Sequence, residues 1–328
     1  MANTPNRPKI LIAEPVPEIA INKLQETGEV TVAGRGNLNT VEKLINALHD
    51  KDAFLSMLSN RVTRSVLTKS KQLKIVANYA VGYNNIDTSA AAELGIRVAN
   101  TPDVLTDATA DLAIGLMIAA ARKFPAAESY LRDGQFTGWE PLGFRGTELS
   151  QSVTGIIGMG RIGQAFAKRA GSFGTRIIYH NRNRVSRKTE EKLNAVYEPD
   201  LEKLLARADI LSLHCPLTDE THHLLNRKRL ALMQKHAIIV NTARGAVIEE
   251  KALADALASK KIAGAGLDVY ENEPSVHPGL LEAPNCILLP HIGSATFYAR
   301  KKMAELAANA IIGVLQNRDK SEIPNLIV

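Results

Sequence analysis

Hydrophobic positions along the chain fall in short clusters whose spacing alternates between strand and helix. Residues 9–13 form a short apolar run stopped by Pro15, and residues 17–26 carry helical spacing that ends at Gly28. Residues 30–33 read as a strand, 40–49 as a helix, and 53–56 and 73–77 as strands. Asp87 caps a helix over 88–94, Gly95 ends it, and a strand at 96–99 closes the series. Strands alternating with helices predict a parallel sheet covered on both faces. A helix at about 104–123 is apolar nearly all round, which predicts burial between layers or domains. Residues 132–152 are rich in Gly, Thr and Ser, hold the only tryptophan, Trp139, and read as an irregular excursion. A second series begins at Val153, with strand candidates at 154–157, 176–179, 210–213, 237–240, 264–269 and 287–289. Six strands with helices between most of them suit a dinucleotide-binding sheet. A last amphipathic helix covers about 295–315, and the tail 323–328 follows.

Composition narrows the class. A chain of 328 residues predicts two domains at roughly 100–200 residues each. With 45% hydrophobic and 23% charged residues it is globular, not disordered. Forty Lys+Arg against 34 Asp+Glu give +6, an excess that suits anionic small molecules at least as well as nucleic acid. There is no long basic block and aromatics are 5%, so no nucleic-acid partner is expected. Two cysteines, Cys215 and Cys286, exclude a disulfide scaffold and a four-cysteine zinc site and suit a reducing compartment. The first eight residues are polar with no apolar signal core behind them, and the longest apolar run, 112–121, falls short of the about 20 residues a bilayer needs. A cytoplasmic protein with no membrane partner is expected. His, Cys and carboxylates do not cluster at ligand spacing along the chain, so no metal is implied.

Gly158-Met159-Gly160-Arg161-Ile162-Gly163 is a G-x-G-x-x-G that follows a strand candidate and opens a helix at 161–170. The first glycine permits the tight turn, the second lets backbone approach a pyrophosphate, and the third lets helix pack on strand. The helix N-terminus then offers N–H groups and a partial positive charge. An NAD site usually places Asp or Glu at the end of the second strand to hold the ribose 2′-hydroxyl. Here no acid occurs between Gly158 and Glu190; Asn181 stands in that place, and Arg182, Arg184, Arg187 and Lys188 follow. A 2′-phosphate carries a charge of about −2, which an acid would repel and arginine pairs bidentately. NADP(H) is therefore the expected cofactor, with NAD(H) still possible. The other reading of these cations is a solvated basic loop.

Further segments carry a resemblance. Val81-Gly82-Tyr83-Asn84-Asn85-Ile86-Asp87, Asn100-Thr101-Pro102-Asp103 and the glycine turn are followed by Asn241-Thr242-Ala243-Arg244-Gly245. Then come Leu267-Asp268-Val269-Tyr270-Glu271-Asn272-Glu273-Pro274 and Pro290-His291-Ile292-Gly293. In this order they resemble the D-isomer-specific 2-hydroxyacid dehydrogenase family over nearly the whole chain. Residues 103–111 and the acid-free second strand are most similar to its glyoxylate/hydroxypyruvate reductases. The resemblance implies an α/β fold of two doubly wound parallel-sheet domains. A flavodoxin-like substrate domain would comprise 1–100 and 295–328, and a Rossmann dinucleotide-binding domain, 101–294, would be inserted into it. Linkers would lie near Thr101 and Ser294.

The implied activity is reduction of small 2-oxo acids: glyoxylate to glycolate, hydroxypyruvate to D-glycerate. Such a reaction needs a cation for the carboxylate, a hydride donor facing the carbonyl carbon, and an acid for the developing alkoxide. Arg244 follows a strand at the carboxyl edge and its planar fork suits a carboxylate; alone it would read as a surface salt bridge, and the Asn-Thr-Ala-Arg-Gly match gives it the site role. Pro-His-Ile-Gly selects His291 among eight histidines as proton donor. His222 and His223 read as a loop or helix start. Glu273, directly before proline, would orient His291, with Glu271 its rival. The resemblance puts Asp268 against the nicotinamide amide and the Val81 and Gly82 N–H groups on the substrate carboxylate. Thr109 either reaches a cofactor phosphate or bonds its own helical turn. Cys215 and Pro216 would lie near the adenosine, Cys215 as packing and not as a nucleophile. Thr221, Thr242, Ala243 and Gly293 complete the expected cofactor path, with Arg244 and His291. In similar reductases a tryptophan in the excursion enters the partner subunit's site, so Trp139 is a substrate-binding candidate; otherwise it anchors an interface or core. The helix at 104–123 and the excursion predict a homodimer. Two other functions remain: a family member acting on D-lactate, D-3-phosphoglycerate or a bulkier 2-oxo acid, and a dinucleotide-sensing protein like the corepressors that resemble this family.

Overall fold

The computed structural model describes residues 7–283 and 285–328. The chain divides into two compact units: residues up to Leu105 together with Ser294–Val328, and Thr106–Gly293. The sequence reading divided it after residues 100 and 294.

The first unit is built on β1 (Lys9–Ile12), β2 (Glu29–Val32), β3 (Ala53–Ser56), β4 (Ile75–Asn78) and β5 (Arg97–Ala99). They form one parallel sheet in the order β2-β1-β3-β4-β5, the flavodoxin-like arrangement. Every residue of β3 and β4 is buried, as expected for central strands covered on both faces. The edge strand β2 is largely exposed. Helix Phe297–Leu315 packs with helix Glu18–Thr27 and over β3 and β4, presenting small residues such as Ala304, Ala307 and Ala308. The C-terminal tail is tied in by Asn325 Nδ2 donating to Asn100 O at 2.7 Å and by a bridge from Leu326 to Ala99. Helix Arg64–Lys69 was not anticipated, because six residues are too few to show a helical period.

The second unit holds β6 (Val153–Ile157), β7 (Arg176–His180), β8 (Ala195–Tyr197), β9 (Ile210–Leu213), β10 (Ile238–Asn241), β11 (Gly264–Leu267) and β12 (Cys286–Leu288). All are parallel, in the order β12-β11-β10-β9-β6-β7-β8. The sheet has seven strands where the sequence predicted six. The one missed, β8, is a three-residue edge strand whose Val196 is 59% exposed, and its run Ala195-Val196-Tyr197 is too short to show a period. The apolar helix is Thr106–Ala121; it packs on β10, β11 and helix Arg161–Gly171, and the left-handed Lys123 follows it. A further helix, Phe124–Arg132, precedes the irregular excursion, and none of its residues is buried. Chain order reverses between β6 and β9, and this is where open α/β sheets bind ligands. Among the described residues no helix is long and apolar enough to cross a membrane.

Candidate functional site

The glycine turn sits at that reversal. Gly158 adopts a left-handed φ of 96°, and a Cβ there would stand 2.5 Å from Cys215 N. The turn after β6 is thus wedged against the backbone after β9. A Cβ on Gly163 would stand 2.1 Å from Gly158 O, so only glycine lets the helix approach its own turn this closely. Gly160, the N-cap of helix Arg161–Gly171, has no side-chain cap and opens onto empty space. The first N–H groups of the helix, those of Arg161, Ile162 and Gly163, have no acceptor within it. Together these features fit a dinucleotide pyrophosphate. Behind the turn His214 is half-buried, its Nε2 2.9 Å from Ser212 Oγ and its ring on Phe166, and desolvation drives its pKa down to about 3.

Asn181 lies directly after β7, and its Oδ1 accepts the Met159 N–H at 3.4 Å, which places it beside the glycine turn. The basic stretch after it is not one cluster. Arg184 makes two 2.8 Å bonds to Glu190, whose carboxyl also accepts the Tyr179 hydroxyl at 2.6 Å. These bonds, Arg184's first, hold Glu190 down to about 2. Arg187 pairs with Glu191 along its own helix. The expectation of four available cations is corrected to two: among the described residues only Arg182 and Lys188 of this group are in no ion pair, and both are exposed.

Three other cofactor candidates have local duties. Thr109 donates to Gly293 O at 3.2 Å, neither to its own turn nor outward. Thr221 Oγ1 donates to Pro216 O at 2.7 Å and accepts the Thr218 N–H at 2.8 Å, closing the loop after β9. Cys215 is buried, its thiol pushed up to about 11 by burial, and is no nucleophile. Thr242, by contrast, has a buried Oγ1 with no hydrogen-bond partner among the described residues. It stands at the carboxyl end of β10, where a bound nucleotide could satisfy it.

The ends of β10, β11 and β12 bring the chemical residues together. After β10, Asn241 builds the turn: its Oδ1 accepts the Ala243 N–H at 3.0 Å and its Nδ2 donates to Arg244 O at 2.9 Å. Arg244 is partly buried and its Nη1 donates to Ala243 O at 2.7 Å. Burial draws its pKa down against the opposing charge of Glu273. After β11, Asp268 is buried and accepts the N–H groups of Ile292 and Gly293, both at 2.7 Å. Burial raises its pKa; these two bonds and the His291 charge oppose the rise. The two N–H groups flank the exit from His291, whose φ is +54°. His291 Nδ1 lies 2.8 Å from Glu273 Oε2, and Glu273 Oε1 accepts the Tyr270 N–H at 3.0 Å. Burial pushes the Glu273 carboxyl up, but the His291 bond, the Tyr270 N–H and the Arg244 charge outweigh it and hold the carboxyl below its ordinary value.

In the first unit, Val81 and Gly82 follow β4. Asn100 Nδ2 donates to Val81 O and Asn78 Nδ2 to Gly82 O, both at 2.8 Å. The two carbonyls are thus tied back, while neither N–H has a protein acceptor among the described residues. Trp139 is 85% exposed.

Sequence reasoning missed the positioning groups Asn78, Asn100 and Asn241, because short polar side chains that bond nearby backbone leave no periodic signal, and Tyr270, because it acts on Glu273 through its main-chain N–H. It also held that histidines and carboxylates do not meet at ligand spacing. His222, His223 and Glu271 nevertheless gather in the folded chain, with one donor atom from each lying within 4.8 Å of the others. They come from two loops that only the fold brings together.

Comparison with known proteins agrees with this geometry. Residues 114–293 match the family described as D-isomer specific 2-hydroxyacid dehydrogenase, NAD binding domain. The chain is 46% identical over 326 residues to a glyoxylate reductase of Pyrococcus horikoshii, covering 98% of this chain and 96% of that one. A glyoxylate reductase from Paecilomyes thermophila superposes with a TM-score of 0.86 at 36% identity, over 99% of both chains. An NADPH-dependent glyoxylate/hydroxypyruvate reductase from Sinorhizobium meliloti, solved with NADP and malonate, gives 0.81 at 35%, covering 94% of this chain and 93% of that one.

The glycine turn generates a stability prediction. Gly163→Ala forces a methyl group against Gly158 O, and overpacking of this kind costs about 1–3 kcal/mol. Calorimetry should show Tm lowered by about 2–12 °C; an unchanged Tm would mean the turn relaxes freely.

Proposed function

The chain belongs to the D-isomer-specific 2-hydroxyacid dehydrogenase family, and on that premise we propose that it reduces glyoxylate and hydroxypyruvate with a preference for NADPH. It is a nicotinamide-dependent reductase acting on small 2-oxo acids. The observation that carries the mechanism is the 2.8 Å contact of His291 with Glu273, beside the charge of Arg244.

Arg244 binds the substrate carboxylate through its planar fork and draws on the adjacent carbonyl oxygen. The Val81 and Gly82 N–H groups, with no protein acceptor among the described residues, are the donors that the first unit can offer to a carboxylate. When bound, the reduced nicotinamide supplies a hydride to the carbonyl carbon. His291 gives the proton from Nε2 to the oxygen as charge develops there, and solvent restores it; in the reverse direction Nε2 takes the proton back. Glu273, held ionised, accepts Nδ1–H and fixes the ring. Asp268 sets where the ring stands, through the two N–H groups it accepts. His291→Ala should lower kcat by about 10²–10⁴-fold with NADPH binding, read by nucleotide fluorescence, unchanged. Arg244→Ala should raise KM by about tenfold to a hundredfold, the worth of charge-assisted hydrogen bonds. Near-normal kcat in the first variant or KM in the second would remove that residue from its role.

The cofactor preference rests on Arg182. It is the cation nearest Asn181 that is in no ion pair among the described residues, its charge felt by Glu220 only at longer range, whereas Arg184 serves Glu190. The Sinorhizobium meliloti relative is described as NADPH-dependent. Initial rates with glyoxylate and hydroxypyruvate, each with NADPH and NADH, test the reading directly. Asn181→Asp with Arg182→Ala should reverse the preference by at least about tenfold, the value of one charge-assisted bond. Arg184→Ala should instead lower Tm and leave the preference intact. A ratio unaffected by the first and altered by the second would place the 2′-phosphate elsewhere.

A homodimer completes the proposal. Phe124, Leu131, Phe136, Trp139 and Leu142 are each more than half exposed within 19 consecutive residues, a density that marks an interface. Trp139 is assigned to the partner subunit's substrate site. Trp139→Ala should then leave the dimer mass in light scattering largely intact and raise KM for hydroxypyruvate; a monomeric wild-type chain would overturn this assignment.

A further inference from the structure

His222, His223 and Glu271 take no part in the reaction just described. His222 and His223 lie on the loop after β9, and Glu271 lies on the segment after β11. His223 has a left-handed φ of 48°, and the two consecutive rings stack with centroids 4.0 Å apart. His223 Nε2 lies 2.6 Å from Glu271 Oε1, and one donor atom from each of the three residues is within 4.8 Å of the others. We propose that these three side chains bind a single divalent ion of the zinc class, joining the two loops.

The donor set selects the ion. Two imidazoles and one carboxylate match the three-ligand arrangement in which zinc keeps a fourth position for water. Magnesium and calcium prefer all-oxygen sites. Ligand atoms at about 2.0–2.1 Å from a tetrahedral ion stand roughly 3.3 Å apart. The widest present spacing therefore has to contract by a little over 1 Å, and the 2.6 Å contact of His223 with Glu271 has to open by about 0.7 Å. His222 is exposed and can supply that movement by rotating its ring, while His223 and Glu271 are already in contact.

The carboxylate is held from behind. The Glu271 N–H donates to Glu250 Oε1 at 2.6 Å, and Glu271 Oε2 accepts the Glu250 N–H at 3.4 Å. Glu250 is buried, so this reciprocal pair fixes the segment as outer-layer partners fix a metal ligand. The His223 N–H is likewise engaged, donating to Ala246 O at 2.8 Å. Glu271 stands two residues before Glu273, the partner of His291. An ion at this place ties down the segment that carries Glu273 without entering the reaction. The assignment rests on these three side chains alone and does not depend on the substrate or cofactor proposed above.

The test uses the full chain stripped of metal by a chelator. Zn²⁺ is titrated in competition with a chromophoric chelator, and Co²⁺ is added separately as a spectroscopic probe. One Zn²⁺ per chain is expected, together with the visible bands of four-coordinate Co²⁺. His222→Ala, which removes an exposed side chain and leaves the fold intact, should weaken Zn²⁺ binding by about tenfold or more, the effect that even outer-layer partners have. Glu271→Gln should do the same, and His291→Ala should leave binding unchanged. Absence of Zn²⁺ binding, binding indifferent to His222→Ala, or binding lost in His291→Ala would each overturn the proposal.

Discussion

The carboxylate of Asp268 is the constraint on which the reaction centre depends. It stands at the end of β11, and burial makes its charge costly. The two N–H groups of Ile292 and Gly293 offset that cost and in doing so fix the turn after β12. His291, at the start of that turn, is held in a left-handed conformation that a non-glycine residue adopts only when its surroundings require it. The fixed backbone brings the imidazole to Glu273, and Glu273 in turn is located by the Tyr270 N–H two residues after Asp268. One buried carboxylate therefore sets the ring's end of the proton-donating pair, and the segment that follows it supplies the N–H that holds the ring's partner.

The parallel sheet of the second unit makes such an arrangement available. Its strands all point the same way, so β6, β10, β11 and β12 deliver their loops to one edge. At that edge, helix N-termini and strand ends leave N–H groups unpaired. A negatively charged cofactor is favoured there before any side chain is considered. The glycines of the turn after β6 remove the side-chain atoms that would keep the backbone away, and the orphan hydroxyl of Thr242 adds a polar contact at the end of β10.

Much of this was legible in the sequence because it has a period or a spacing. Alternating strands and helices marked the α/β class, and the central strands, buried on both faces, appeared as unbroken apolar runs. The glycine turn was legible because its glycines recur at fixed intervals, two of them, Gly158 and Gly163, at close approaches that exclude a side chain. The parts that escaped notice have neither property. Strand β8 lies at an edge and is three residues long, too short to show a period. Helix Phe124–Arg132 buries nothing and so has no buried face to impose a pattern. The tie-backs from Asn78, Asn100 and Asn241 depend on which carbonyl the fold brings within 3 Å, which residue type does not record.

The sharpest limit of sequence reading appears where like residues stand close together and do different things. Arg182 and Arg184 are two positions apart and equally charged, yet Arg184 is committed to a buried carboxylate six residues on and Arg182 is not. Glu271 and Glu273 are also two apart. In an extended strand their side chains would share a face. Here the chain turns between them, with a bridge from Asn272 to Ser275, and each carboxylate meets a different histidine: Glu271 meets His223, and Glu273 meets His291. Composition and spacing are the same for both members of each pair, so neither can tell them apart. What separates them is the identity of the long-range partner: it leaves one carboxylate to orient a proton donor and the other available to a metal ion.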